Sequence, residues 1–334
     1  FDTSGHSKSR CKSWCSCLLL PTNRSLVARF LEPDLSIGDV GMRWMTLLAV
    51  IISGFAHAED STTSQVEVLN LYDNFGSDEH GATLDWGFST LVRYRDMTIL
   101  FDGGSSATLL ERNAQALGVD LREVDIAVLS HNHYDHISGF DYLLAVNPEV
   151  KIFLPNDRLI GGRPSRNAEQ ADWNASHQRG YRFPDADVRY MKNHQEIAPG
   201  IRVIVTKSEL VGYFNKYPPN DQEPLFLGLP EVTLAVETDT GWVLVTGCSH
   251  SEVVRIVQAA KSELGGEIKA LVGGFHLRPY SDEDVSLVVG QLPDELARNT
   301  VAPAHCPGEV AQGFLEKSFG QNYTEFGLGA RTSF

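Results

Sequence analysis

The pattern of apolar and polar residues divides the chain from residue 65 onward into short regular segments. Apolar and polar residues alternate over 65–72, which predicts a half-buried strand. The wholly apolar run 126–129 predicts a strand that is buried on both faces. The same reasoning predicts further strands over 87–94, 97–101, 150–154, 201–206, 231–237, 241–246, 268–272, 300–303 and 324–328.

Helices are predicted in several of the intervals between these strands. Their ranges are 106–117, 139–146, 253–264 and 282–297, with a last helix that begins at Glu309. Gly118 is placed to end the first helix, and Ser281 is placed to cap the start of the fourth. Strands and helices in this order indicate an α/β protein.

The first 58 residues are predicted to lie outside this fold. Residues 42–58 combine a weakly basic start, an apolar run and the tripeptide Ala56-His57-Ala58, which is typical of a secretory signal peptide with its cleavage site. The run is too short to span a bilayer, although an uncleaved anchor is the alternative. Residues 1–41 are interpreted as upstream or disordered sequence. A folded domain over 59–334 is therefore expected in the periplasm or outside the cell, with no stable membrane anchor after cleavage.

Charge and cysteine content narrow the possible functions. The formal net charge of −15 makes the chain a poor non-specific binder of nucleic acid, so a small-molecule substrate is the expected partner. After the predicted signal peptide only Cys248 and Cys306 remain. They could form a disulfide in an oxidising compartment, but we favour small buried residues that shape a site.

A long polar stretch at about 156–196 interrupts the predicted domain and is slightly basic in an otherwise acidic protein. Long loops in compact domains are usually functional or disordered. Our hypothesis is that this insert covers the site and offers His177 or Arg179 to an anionic group of the substrate; a solvated surface insertion is the alternative. Tyr213, in an aromatic loop further on, belongs to a pocket wall or to a plain turn.

The strongest chemical signal directly follows the apolar run 126–129. His131, His133, Asp135 and His136 are packed into six residues at the end of that predicted strand. Imidazole and carboxylate groups are ligands of first-row metals. Because His131 and His133 can point in one direction and Asp135 and His136 toward a neighbouring point, one short loop can serve two metal ions.

Three more histidines follow small residues at the ends of predicted strands, namely His250, His276 and His305. Sites in α/β sheets gather beyond the carboxyl ends of the strands, so these imidazoles can converge on the same edge. Singly, each would more often be a core or surface residue, whereas together with the cluster at 131–136 they are predicted to be metal ligands. The sequence leaves open whether His250 or His276 completes the first metal position.

The H-x-H-x-D-H spacing is the signature of the metallo-β-lactamase superfamily, which the chain resembles from about Val66 to its end. The phrases G-C-S-H, G-G-F-H-L and P-A-H-C further resemble the 7,8-dihydropterin-6-yl-methyl-4-(β-D-ribofuranosyl)aminobenzene-5'-phosphate synthase-like subgroup. The resemblance implies a four-layer αββα sandwich and a dinuclear, zinc-type site. It also implies that Asp102 steadies the metal loop through hydrogen bonds. The alternative interpretation is that Asp102 is a plain turn residue. The superfamily's bridging aspartate after a late strand is missing, and Cys248 or His250 stands there instead.

Together these observations predict a metal-dependent hydrolase whose metal-activated water attacks an ester, lactone, amide or phosphoester bond of a small anionic substrate. His131 and His133, with His250 or His276, would hold one ion; Asp135, His136 and His305 would hold the other, and Asp135 would also orient the water. Two zinc ions are expected, with iron or manganese as other possibilities. The alternatives are a transferase or synthase that acts on a pterin-like, phosphate-bearing substrate, and a non-catalytic periplasmic binder of a metal or ligand.

Overall fold

The computed structural model describes residues 65–77, 81–157, 183, 185–208 and 229–334. The predicted signal peptide and the sequence before it lie outside these residues, as do His177, Arg179 and Tyr213. Those expectations therefore stay predictions. No helix within the described ranges is long and apolar enough to cross a membrane.

The described residues form the following strands and helices. The strands are β1 Val66–Tyr72, β2 Ser89–Tyr94, β3 Met97–Phe101, β4 Ile126–Val128, β5 Lys151–Pro155, β6 Asp187–Met191, β7 Gln195–Ala198, β8 Ile201–Lys207, β9 Pro230–Thr238, β10 Gly241–Thr246, β11 Ile268–Gly273, β12 Thr300–Pro303 and β13 Arg331–Ser333. The α-helices are α1 Ala107–Ala116, α2 Tyr134–Ile137, α3 Phe140–Val146, α4 Val253–Leu264, α5 Asp282–Glu295 and α6 Glu309–Phe319.

The strands belong to two sheets. In the first the order is β13-β1-β2-β3-β4-β5-β6, and in the second it is β12-β11-β10-β9-β8-β7. Neighbours from β3 to β6 run parallel, and so do β10, β11 and β12. Each sheet therefore has one stretch in which successive strands end at the same edge.

Strand β4 shows how the sheets are layered. Ile126 and Val128 pack into the core between the two sheets, whereas Ala127 packs into the core between the first sheet and helices α1 and α3. Both faces of the strand are covered, which is why its sequence is a continuous apolar run and does not alternate. A third core lies between the second sheet and helices α4, α5 and α6. The layers are α, β, β and α, so the predicted four-layer sandwich is confirmed.

Two stretches of the described chain differ from the predictions. The range 324–328 is not a strand, although its apolar residues Phe326 and Leu328 are both buried. Its backbone bonds to single partners, such as the carbonyl of Phe75, and the last strand is β13. Strand β6 and the start of β7 fall inside the predicted insert. They are edge strands with polar, partly exposed side chains, so their composition resembles that of a loop.

Candidate metal centre

The metal-ligand candidates lie where the parallel strands of both sheets end. Strand β4 leads into His131, and strands β10, β11 and β12 lead into His250, His276 and His305. The backbone N–H of Val232 donates to the carbonyl of Ser130 over 2.8 Å, which ties strand β9 of the second sheet to the metal loop of the first. The site is therefore built across the two sheets.

Strained backbone positions support this convergence. Asp102, Ser249, His276 and His305 have positive φ angles of 59°, 63°, 46° and 62°. The left-handed region of backbone conformation is unfavourable for residues other than glycine, and a residue held there costs of order 1–3 kcal/mol. All four residues follow the end of a strand. The fold therefore tolerates strain where the chain must turn to bring side chains to one point.

The first ligand group contains three imidazoles. Nε2 of His131 lies 3.0 Å from Nδ1 of His133 and 3.2 Å from Nε2 of His250. Tetrahedral ligands about 2.0–2.1 Å from a zinc ion lie about 3.3 Å from one another, so each of these two spacings fits a pair of nitrogens on one cation. His276 is placed differently, because its ring packs on His250 with the centroids 4.2 Å apart. The geometry thus favours His250 at the position that the sequence left open.

The second group joins a carboxylate to two further imidazoles. Oδ2 of Asp135 lies 3.4 Å from Nε2 of His305 and 3.8 Å from Nε2 of His136. Nε2 of His136 also lies 3.1 Å from the sulfur of Cys248. All four side chains are buried. A second cation would therefore find oxygen, nitrogen and sulfur donors together.

The two cysteines are buried free thiols, with their sulfur atoms 3.5 Å apart. Cys248 and Cys306 therefore do not form a disulfide in the structure. Among the described residues, three groups of donors have ligand atoms within 4.8 Å of one another, and Cys248 belongs to each: it lies with His131 and His250, with His136 and His305, and with His276 and Cys306.

Burial sets the protonation state of the imidazoles in the first group. It lowers the pKa of His131 and His250 well below the ordinary value, helped by the neighbouring imidazoles, and lowers the pKa of His133 to about 4. These rings are neutral at neutral pH, so their lone pairs are available to a cation.

The second group carries charge. Burial alone would raise the pKa of Asp135, but His136 and His305 outweigh it and hold that pKa below its usual range. Burial alone would lower the pKa of His305, but Cys306 and the hydrogen bond to Asp135 raise it to about 9. Asp135 is therefore ionised, and a cation bound beside His305 would displace a proton from that ring.

Asp102 supports the ligands from behind. One oxygen of its buried carboxylate accepts from the backbone N–H of Ser130, and the other accepts from the Ser130 hydroxyl and contacts Nδ1 of His136, each over 2.7 Å. The Ser130 hydroxyl also lies 2.8 Å from Nδ1 of His131. Gly247 closes this network, because a Cβ atom there would overlap the Ser130 hydroxyl and lie 3.0 Å from the Asp102 carboxylate. One carboxylate thus orients imidazoles of both groups.

Two buried carboxylates at the site were missed by the sequence reasoning. Asp73 accepts from the backbone N–H of His305 over 3.1 Å, and burial raises the pKa of Asp73 to about 7. Glu231 accepts from the backbone N–H groups of His250 and Ser251 over 3.1 and 3.0 Å. The one available signal was that Asp73 directly follows strand β1, as Asp102 follows β3. Both carboxylates hold the turns that present the histidines.

A cleft lies beside the second ligand group. A cavity of about 700 Å³ is lined by residues that include Trp86, Arg278 and His305, and a cavity of about 320 Å³ is lined by Trp86, His276, Arg278, Pro279 and Cys306. The guanidinium of Arg278 lies 5.4 Å from the centroid of the Trp86 ring, a cation–π distance. Arg278 thus stands at the entrance to the cluster, a position that the sequence reasoning did not assign to it.

The fold and the cluster define a class of protein, the αββα sandwiches that carry candidate metal ligands where the strands of both sheets end. Part of the chain matches the metallo-β-lactamase superfamily. The model of the family described as Metallo-beta-lactamase superfamily matches residues 83–207, a range that contains Asp102 and the cluster from His131 to His136.

Curated relatives extend this match over most of the chain. The chain is 25% identical over 250 residues to the 7,8-dihydropterin-6-methyl-4-(beta-D-ribofuranosyl)-aminobenzene-5'-phosphate synthase of Methanocaldococcus jannaschii, which covers 69% of this chain and 82% of the relative. An uncharacterized protein of the same organism is 28% identical over 232 residues, which covers 66% of this chain and 84% of the relative. The sequence similarity thus reaches beyond the range of the family match, and one relative is named as a synthase.

Solved structures share the fold. A metal-dependent hydrolase of the β-lactamase superfamily superposes with a TM-score of 0.62 at 26% identity, covering 80% of this chain and 98% of that one. The metallo-β-lactamase fold protein YhfI from Bacillus subtilis has a TM-score of 0.50 at 13% identity, and the match covers 81% of this chain and 100% of that one. The second comparison concerns the fold alone.

Proposed function

We propose that this protein is a metal-dependent hydrolase of a small anionic substrate. The observation that carries the proposal is the pair of ligand groups, three imidazoles in one and an ionised carboxylate with two imidazoles in the other, at the end of a cleft. His131, His133 and His250 would hold one divalent cation, and Asp135, His136 and His305 would hold a second. The cations, when bound, supply the Lewis acidity that polarises a scissile bond and lowers the pKa of water.

The chain's own residues would supply orientation and a proton acceptor. Asp135 is ionised, and its carboxylate is placed to accept a hydrogen bond from an attacking water. Asp102 fixes the loop between His131 and His136 through its bonds to Ser130 and His136. Burial of both imidazole groups keeps bulk water from competing with these contacts, which strengthens each of them. An ester, lactone, amide or phosphoester would each be open to this chemistry.

The direct test removes and restores the metal. The purified protein is screened against panels of esters, lactones and phosphodiesters, and each hydrolysis found is repeated after chelation and again after zinc is added back. Turnover should disappear with the chelator and return with zinc. Activity that is unchanged in chelator would contradict the proposal. Bound metal with no turnover on any panel would favour the non-catalytic binder.

An anionic substrate is supported by the position of Arg278. Of the described Lys, Arg, Asp and Glu residues, it is the one that lines both cavities, whereas Asp282 and Glu309 line only the larger one. A guanidinium held against an aromatic ring is well suited to pair with a carboxylate or phosphate group.

Replacing Arg278 with glutamine should raise KM for an anionic substrate and leave kcat nearly unchanged. A hydrogen bond to a charged group contributes about 1.5–3 kcal/mol, so the expected rise is roughly 10- to 100-fold. Steady-state kinetics on the substrate found in the screen measures it. The matched control is Arg112→Gln, which removes an exposed arginine from helix α1 and should change neither constant. Equal KM values for wild type and Arg278→Gln would refute an anion-binding role.

A transferase or synthase is the second candidate, because a relative that is 25% identical to this chain is named as a synthase. The two reactions differ in the fate of water. Turnover in ¹⁸O-labelled water should place label in the product of a hydrolase, whereas a condensing enzyme joins two substrates without taking oxygen from the solvent. Mass spectrometry of the product distinguishes them.

A further inference from the structure

Cys248 occupies a central position among the candidate ligands. It follows strand β10, and its sulfur lies 3.1 Å from Nε2 of His136 in the second group. The same sulfur also lies within 4.8 Å of the ligand nitrogens of His131 and His250 in the first group. The side chain is buried. A donor in this position can reach cations on both sides.

The chemistry of sulfur suits such a role. A thiolate is a strong ligand of zinc and other soft or borderline cations, and a metal ion deprotonates a coordinating thiol outright. A sulfur has more than one lone pair and can therefore contact two cations, as a carboxylate does with its two oxygens. Among the described residues, Asp102 contacts His136 through Nδ1, on the side of the ring opposite Nε2, whereas Asp135 is the carboxylate within 4 Å of the Nε2 atoms of His136 and His305. No second carboxylate is therefore seen on the Nε2 side of these two rings.

We propose that the thiolate of Cys248 is a direct ligand shared by both metal positions, in the place where a bridging carboxylate would otherwise stand. This inference rests on the metal centre of the proposed function. Binding releases the thiol proton to solvent, so the sulfur contributes one negative charge to the two cations. That charge, added to the carboxylate of Asp135, offsets half of the four positive charges of a divalent pair.

Cys306 has a supporting position and does not share this role. Its sulfur accepts from the backbone N–H of His276 over 3.2 Å and lies 3.5 Å from the sulfur of Cys248. It belongs to one donor group, with Cys248 and His276, whereas Cys248 belongs to all three. Cys306 therefore positions Cys248 and His276. The two thiols form a matched pair for an experiment, since both are buried, free and close to His276.

Cobalt substitution tests the assignment. The chain is stripped with chelator under reducing conditions and titrated with Co²⁺, and the absorption spectrum and bound cobalt are measured for wild type, Cys248→Ser and Cys306→Ser. Wild type and Cys306→Ser should show the near-ultraviolet charge-transfer band of a cobalt–thiolate bond, and Cys248→Ser should lose it. Loss of a residue that only hydrogen-bonds to a ligand lowers metal affinity about 10–100-fold. The cobalt affinity of Cys248→Ser should fall by more than this.

A further variant keeps the outcome clear if serine disturbs the fold. Cys248→Asp restores a carboxylate, so it should still bind two cobalt ions but show no thiolate band. A band that persists in Cys248→Ser or Cys248→Asp, or that disappears only in Cys306→Ser, overturns the proposal. Cobalt bound with no thiolate band in wild type also overturns it while the hydrolase proposal stands, whereas a wild-type chain that binds no cobalt or zinc refutes both.

Discussion

Replacing Asp135 with asparagine should reduce turnover by about 10²–10⁴-fold, the range that a positioned proton acceptor contributes. The substitution keeps the size of the side chain but removes its charge. A neutral amide can neither accept the proton of an attacking water nor balance a cation held with His136 and His305. The occupancy of the second metal position should fall as well.

The measurements are kcat on the substrate found in the screen and metal content after dialysis. Asp141→Asn is the matched control, since Asp141 is an exposed carboxylate in the first turn of helix α3, close in sequence to the cluster. That control should retain wild-type activity and metal. Full turnover by Asp135→Asn would show that the carboxylate has no part in the reaction.

Replacing Asp102 with asparagine should weaken both folding and metal binding. The carboxylate serves two donors of Ser130 and faces Nδ1 of His136, and one amide oxygen cannot serve them all. Each buried donor that loses its partner costs about 1–3 kcal/mol, and loss of an outer partner lowers metal affinity about 10–100-fold. Asparagine also tolerates the positive φ angle of this position, so the change tests the charge and not the backbone.

Denaturant unfolding of the metal-free protein and competition with a chromophoric chelator give the two quantities. Asp125→Asn is the control, because Asp125 is exposed and its carboxylate also accepts a backbone N–H, that of Thr98. It should affect metal affinity very little. If Asp102→Asn lost stability but bound metal as tightly as wild type, the role of Asp102 in steadying the histidines would be refuted.

The sequence predicted most of the strands and helices because each is marked by a pattern of apolar and polar residues within its own segment. Strand β4 and helix α4 were predicted nearly to the residue. The strand is marked by a continuous apolar run, and the helix by apolar residues that repeat at the helical period. Strands β6 and β7 were mistaken for part of an insert because edge strands carry polar side chains. The range 324–328 was mistaken for a strand because its apolar residues Phe326 and Leu328 stand two positions apart, whereas its backbone bonds only to single partners among the described residues.

The sequence by itself determined the class of site. The spacing of His131, His133, Asp135 and His136 in one loop is a local property, and so is the occurrence of further histidines after strands. Only the tertiary structure decided how these pieces meet. It placed His250 beside His131 and Arg278 at the cleft, and it set Cys248 between the two groups. The physical reason is that these distances depend on how two sheets pack, and residues more than a hundred positions apart carry no mark in their neighbours of where the other lies.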